Sequence, residues 1–127
     1  MYFTFNNANS RDFNIKIKKS NHLSIPRKKL EFIEVQGRTD NLIIDEGARE
    51  MLDLEVEAYI DCRDLDTKTY ALRLDNWLNN TNGYANLVFN DNTTLKAIFV
   101  GQIDFNTIVK NFNEILLQFK AYRESDL

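Results

Sequence analysis

The stretch Met51-Leu52-Asp53-Leu54-Glu55-Val56-Glu57-Ala58-Tyr59-Ile60-Asp61-Cys62 decides the fold class of this chain. Leu52, Leu54, Val56, Ala58, Ile60 and Cys62 fall on one side of an extended backbone, and Asp53, Glu55, Glu57, Tyr59 and Asp61 fall on the other. A strict period of two over this length marks a strand with one dry face and one wet face. Cys62, closing the dry face, reads as a small buried hydrophobe rather than a nucleophile.

Working outward, the same alternation predicts strands over residues 2–5, 13–18, 29–36, 42–44, 85–89, 95–105 and 114–123. Residues 95–105 carry apolar side chains at both parities, with Ile98 and Val100 on one face and Phe99, Ile103 and Phe105 on the other. Such a strand is expected to be covered twice, by its own core and by a neighbouring subunit. One segment changes period. Between residues 66 and 79, Tyr70, Leu74, Trp77 and Leu78 recur as the apolar stripe of an amphipathic helix. Asp64, Asp66 or Thr67 can cap its start, and Asn79-Asn80-Thr81-Asn82-Gly83 stops it. Trp77 therefore reads as core. The expected fold is mainly β (α+β): an antiparallel β-sandwich or split barrel with one packed α-helix.

The length, 127 residues, suits a single domain over 1–127 with a sizeable core. Residues 123–127 are polar and read as a tail or a link to a further domain. No apolar run approaches the length that spans a bilayer, so no membrane partner is expected. The N-terminus lacks the basic and small-residue signals of a secretory leader, and one cysteine cannot form an intrachain disulfide. Synthesis in a cytoplasm is the expectation. Residues 1–30 hold seven basic side chains against Asp12, for +6, and the rest of the chain holds nine basic and 18 acidic ones, for −9, together the net −3. A basic segment of this kind meets either nucleic acid or an acidic surface on another copy.

Catalytic and metal chemistry find little footing. One His and one Cys make no zinc set. His22, among Ser20, Asn21 and Ser24, reads as a plain surface residue. Carboxylate pairs such as Glu31 with Glu34, or Asp53 with Glu55, sit at strand alternation, the signature of a solvated face rather than of a glycosidase pair. No phosphate-binding loop, dinucleotide fingerprint or zinc-protease motif occurs. The chain is expected to be no enzyme and to need no cofactor or metal. Residues 11–29 could contact phosphates, but aromatics are not interleaved with the bases on one face.

Two corners near the front carry a family likeness. The first is Phe5-Asn6-Asn7-Ala8-Asn9-Ser10-Arg11-Asp12-Phe13-Asn14-Ile15; the second is Val35-Gln36-Gly37-Arg38-Thr39-Asp40-Asn41-Leu42. Each sets a polar turn between apolar runs. With Trp77-Leu78 and then Leu87-Val88-Phe89-Asn90-Asp91, in this order, they resemble the N-terminal domain of siphophage distal tail proteins. That family opens with a Phe-Asn-Gly-like turn and a Ser-x-Asp-Phe-Gly-Ile-like segment, and here Asn7 and Asn14 stand where glycine is usual. Asn is the residue that best replaces glycine at positive φ. A Val-Pro-Gly-Arg-Asp-Gly-like corner follows in the family. Gly37, Arg38 and Asp40 keep its outline, while Gln36 replaces the proline.

The resemblance implies a structural protein of a phage or prophage virion. It would assemble into a closed, six-fold ring at the tail-tube end and link the tube to the baseplate or tip. Its partners would be other copies of itself, the tail tube protein and a tail-associated tip or lysin protein, with DNA passing through the channel without specific binding. Ring-contact candidates are Arg11, Lys18, Lys19, Lys28, Lys29, Arg38, Ile98 and Val100. Asp53, Glu55, Glu57 and Asp61 are candidates for the lumen. Gly37 is expected to hold a tight corner at positive φ. A single-stranded nucleic-acid-binding β-barrel using residues 11–29, or a carbohydrate-binding adhesion module using Tyr84 and Tyr122, are the alternatives.

Overall fold

A computed structural model describes residues 1–61, 63, 66–104, 106–109 and 112–123. Cys62, Asp64, Phe105 and residues 124–127, which carried some of the expectations above, lie outside them. The chain is mainly β with one helix. β1 (Phe3–Phe5), β2 (Ala8–Asn9), a 3-10 turn (Ser10–Phe13), β3 (Ile15–Ser20), β4 (Lys28–Ile33), β5 (Leu42–Arg49) and β6 (Leu52–Asp61) come first. α1 (Thr67–Asn79), β7 (Ala85–Phe89), β8 (Thr94–Phe99), β9 (Asn106–Val109) and β10 (Phe112–Tyr122) follow.

Among the described residues one antiparallel sheet runs in the order β2-β1-β7-β8-β10-β6-β3, with β9 beside β10, while β4 and β5 pair only with each other. The main sheet curls. β1 and β10 are three strand positions apart, roughly 14 Å in a flat sheet, yet the Phe5 and Phe119 rings lie 5.2 Å apart. The concave side receives the dry face read from the sequence: Leu54, Val56, Ala58 and Ile60 of β6 are buried, with Leu117, Phe119 and Ala121 of β10.

α1 lays Tyr70, Leu74, Trp77 and Leu78 on this core, and Asp66 is its N-cap residue. Trp77 stacks on Phe13 at 4.3 Å and donates its indole N–H to the Phe5 carbonyl at 2.8 Å. The Tyr70 hydroxyl donates to the Phe13 carbonyl. These bonds explain why the first corner is shaped as it is. Asn6, Asn7 and Asn14 all take positive φ, which lets the 3-10 turn double back and present Phe13 to the helix.

Two expectations need correction. Residues 95–105 are not one strand, because β8 ends at Phe99. Phe99 pairs with Phe119 and Asn106 with Glu114, so eight residues of chain run against six on β10, a two-residue excess. Gly101 permits it: a Cβ at that position would lie 3.1 Å from Gln118 Cβ. Val100 is exposed and Ile98 half-buried, while Leu95, Ala97 and Phe99 enter the core.

His22 is not a surface residue. Only 5% exposed, it stacks on Phe89 at 3.9 Å. Its Nε2 lies 2.8 Å from Asp91 Oδ2, and its Nδ1 2.9 Å from Ser20 Oγ. Neighbouring polar residues suggested solvent, but the side chain reaches a polar niche at the β7–β8 turn.

Candidate functional site: a protruding apolar hairpin

The β4–β5 hairpin is the part of the described structure least accounted for by folding. Its register pairs Phe32 with Ile43, Glu31 with Ile44 and Ile33 with Leu42. Directly opposed residues share a face, so Leu30, Phe32 and Ile43 form one side, and Ile33, Leu42 and Ile44 the other. Both sides are apolar and open to solvent, Phe32 at 59% and Ile43 at 58%. The pattern expected of residues 95–105, a strand apolar on both faces, is thus met by β4 and β5. A single cluster of this size is the usual mark of a contact surface.

Its base is held firmly. Glu50 N–H donates to the Arg27 carbonyl at 2.7 Å and Arg49 Nη1 to the Pro26 carbonyl at 2.9 Å. Asn21 extends the β3–β6 pairing into the linker, its amide nitrogen donating to the Asp53 carbonyl and its oxygen accepting from the Glu55 N–H. Gly37 takes φ +84° beyond the end of β4, the positive φ expected of it. Arg38 next to it is paired with Asp40 at 2.7 Å, an exposed ion pair within the hairpin tip.

The residues singled out from the sequence fall in several places. Lys28, Lys29 and Arg38 belong to the hairpin. Lys18 and Lys19 lie on or beside the bulge of β3, and Arg11 covers the Tyr2 ring from the 3-10 turn at 3.7 Å. Ile98 and Val100 lie at β8, which β10 and β6 separate from β3. The basic segment is therefore split: part belongs to the body's edge and part to the base of the hairpin. Beyond that base the hairpin is acidic, with Glu31, Glu34, Asp40, Asp45 and Glu46 against Arg38. Reading charge along the chain could not show this division, because it depends on where the chain leaves the sheet.

Asp53, Glu55, Glu57 and Asp61 share the convex face of the main sheet, and cations stand among them. Lys120 pairs with Asp53, and Arg63 with Asp61 at 2.7 Å. Hydrogen bonding from Arg63 is the main cause that lowers the Asp61 pKa to about 2. A hydrogen bond with Tyr59, helped by the charges of Glu114 and Glu57, raises that of Lys18. Tyr59 and Phe112 do lie under Lys18 and Lys16 on this face, an interleaving the sequence reading had missed. Because carboxylates are interspersed among these cations, the face has no uniformly basic track for a phosphate backbone. Among the described residues no group of His, Cys, Asp and Glu could hold a metal ion, and no helix is long and apolar enough to cross a membrane.

The architecture is a curled antiparallel sheet closed by one helix, with a detached hairpin. Its likeness is to the crystal structure of SPP1 Dit (gp 19.1), a hub adsorption-apparatus protein of phages infecting Gram-positive bacteria, with a TM-score of 0.77 at 14% identity. The match covers 97% of this chain and 49% of that one, so the chain spans about half the length of its structural relative. At this identity the likeness shows a shared fold. No protein-family model and no curated protein matches the sequence.

Proposed function

We propose that this chain is a structural component of a siphophage or prophage tail, made in the host cytoplasm and incorporated into the virion. It forms a closed ring of six copies at the end of the tail tube and joins the tube to the baseplate or tip. The observation that carries the proposal is the hairpin: a well-anchored element with two solvent-exposed apolar faces, on a domain with the fold of a tail hub. Two such faces on one arm suit burial between bodies better than life in solution. Closed rings require a heterologous contact whose rotation closes, and a projecting arm meeting a different surface on the next copy supplies that asymmetry.

Within this proposal the tube protein and a tip or lysin protein would meet opposite faces of the ring. Asp53, Glu55, Glu57 and Asp61 would face the channel through which DNA passes. The intervening Lys120, Arg63, Lys16 and Lys18 reduce the repulsion those acids exert, so the lining would be passive rather than strongly negative. The deciding experiment is negative-stain microscopy with sedimentation velocity over rising concentration. Rings of one copy number are expected, and a protein that stays monomeric throughout overturns the reading.

A further inference from the structure

Resting on the ring reading, a more specific contact can be assigned: we propose that the acidic hairpin of one copy adds as strands along the free edge of β3 in the next copy, with β5 as the contacting strand. Among the described residues β3 is the last strand of the main sheet, so one of its edges carries backbone donors and acceptors that no described strand pairs. Among the described residues β5 is likewise paired on one side, by β4. Joining two such edges satisfies both sets of backbone groups, the main source of affinity in strand addition.

Charge selects this pairing over others. Lys16, Lys18 and Lys19 lie on β3, whereas Asp40, Asp45 and Glu46 lie on or beside β5. Two β3 edges would bring lysines together, and the bulge between Ile17 and Lys19 further discourages a like partner. An acidic strand removes that repulsion. Apolar contacts complete the match. Leu42 and Ile44 share one face of β5. On β3, Ile15 and Ile17 line a cleft of about 460 Å³ together with Met1 and Tyr2, rimmed by Arg11, Lys16 and Asp61. A strand laid beside β3 would bring Leu42 and Ile44 over this cleft and keep Asp45 on the lysine side.

Within one chain the hairpin does not make this contact: among the described residues β4 and β5 pair with each other and neither pairs with β3. Only Glu50 and Met51 separate β5 from β6, so the hairpin leaves the sheet at the Leu52 end of β6. Ile15 pairs with Ile60 near the other end, about 27 Å away at about 3.4 Å per residue. The occupant is therefore a second copy.

Reciprocal charge reversal tests the assignment. One variant carries Lys16→Glu, Lys18→Glu and Lys19→Glu; the other carries Asp40→Lys, Asp45→Lys and Glu46→Lys. Each alone should have native circular dichroism and assemble at a concentration on the order of tenfold higher or more, since like charges then meet. Mixed in equal amounts, they should regain wild-type assembly, because every hairpin again faces an edge of opposite charge, in alternating copies. If a triple reversal melts early, Lys16→Glu and Asp45→Lys serve as the milder pair, with the same pattern at smaller amplitude. Variants that each assemble at the wild-type concentration overturn the docking, as does a mixture of folded variants that stays monomeric. In both cases an assembling wild type leaves the ring reading standing. A wild type that never assembles removes both.

Discussion

Replacing Trp77 by alanine tests whether the helix and the first corner form one unit with the sheet. The indole is only 6% exposed, stacked between Phe13 at 4.3 Å and Phe3 at 5.8 Å. An aromatic of this size removes roughly 200 Å² from water, which at about 25 cal/mol per Å² is about 5 kcal/mol as an upper value. The bond from Nε1 to the Phe5 carbonyl adds about 1 kcal/mol net. Partial collapse of the cavity offsets part of this, and about 4 kcal/mol is expected for Trp77→Ala, within the range of buried aromatic truncations. Trp77→Phe keeps a ring against Phe13 but removes the N–H donor, and should cost about 1–2 kcal/mol. Because Trp77 is the chain's one tryptophan, urea unfolding has to be followed by far-ultraviolet circular dichroism rather than by indole fluorescence. Equal slopes in denaturant with a shifted midpoint would place the loss in native-state packing. An alanine variant losing less than about 1.5 kcal/mol would refute the claim that this ring joins corner, helix and sheet.

Further outcomes follow from other parts of the structure. Gly37→Val strains a backbone at φ +84°, but a Cβ there meets nothing within 4 Å, and among the described residues the hairpin pairs with no other strand. The expected effect is therefore faster amide exchange across β4 and β5, with a melting temperature shifted by less than about 2 °C; a larger shift would mean the hairpin folds cooperatively with the core. Leu42→Ser with Ile44→Ser should leave the monomer's melting temperature nearly unchanged, since both side chains are exposed, while weakening self-association in sedimentation velocity at least about tenfold. Asp61, bonded by Arg63, and Asp91, bonded by Thr93 and His22, both have pKa values lowered to about 2. Folded values below the unfolded ones mean stability that is present at neutral pH and lost as pH falls from about 4 towards 2. Asp61→Asn and Asp91→Asn should each flatten that acid limb in melting curves, and an unaltered limb would deny them this role.

The sequence by itself determined the β-rich class, the helix and most of the core. Period-two alternation in β6 and β10, and the Tyr70-Leu74-Trp77-Leu78 stripe, depend only on local geometry that every strand or helix shares. The Asn-rich first corner was legible for the same reason, since positive φ is a property of the residue and its immediate neighbours. Tertiary structure decided what local pattern leaves open. His22 is buried because the fold brings Phe89 to stack on it and Asp91, 69 residues away in sequence, to bond it. The apolar runs of β4 and β5 looked like ordinary core strands, and only their separation from the main sheet left both faces exposed. Hydrophobicity records that a side chain gains from leaving water; it does not record whether the covering surface belongs to the same chain or to another. That choice depends on where β5 leaves the sheet and on which edges remain open, both of them non-local properties of the folded chain.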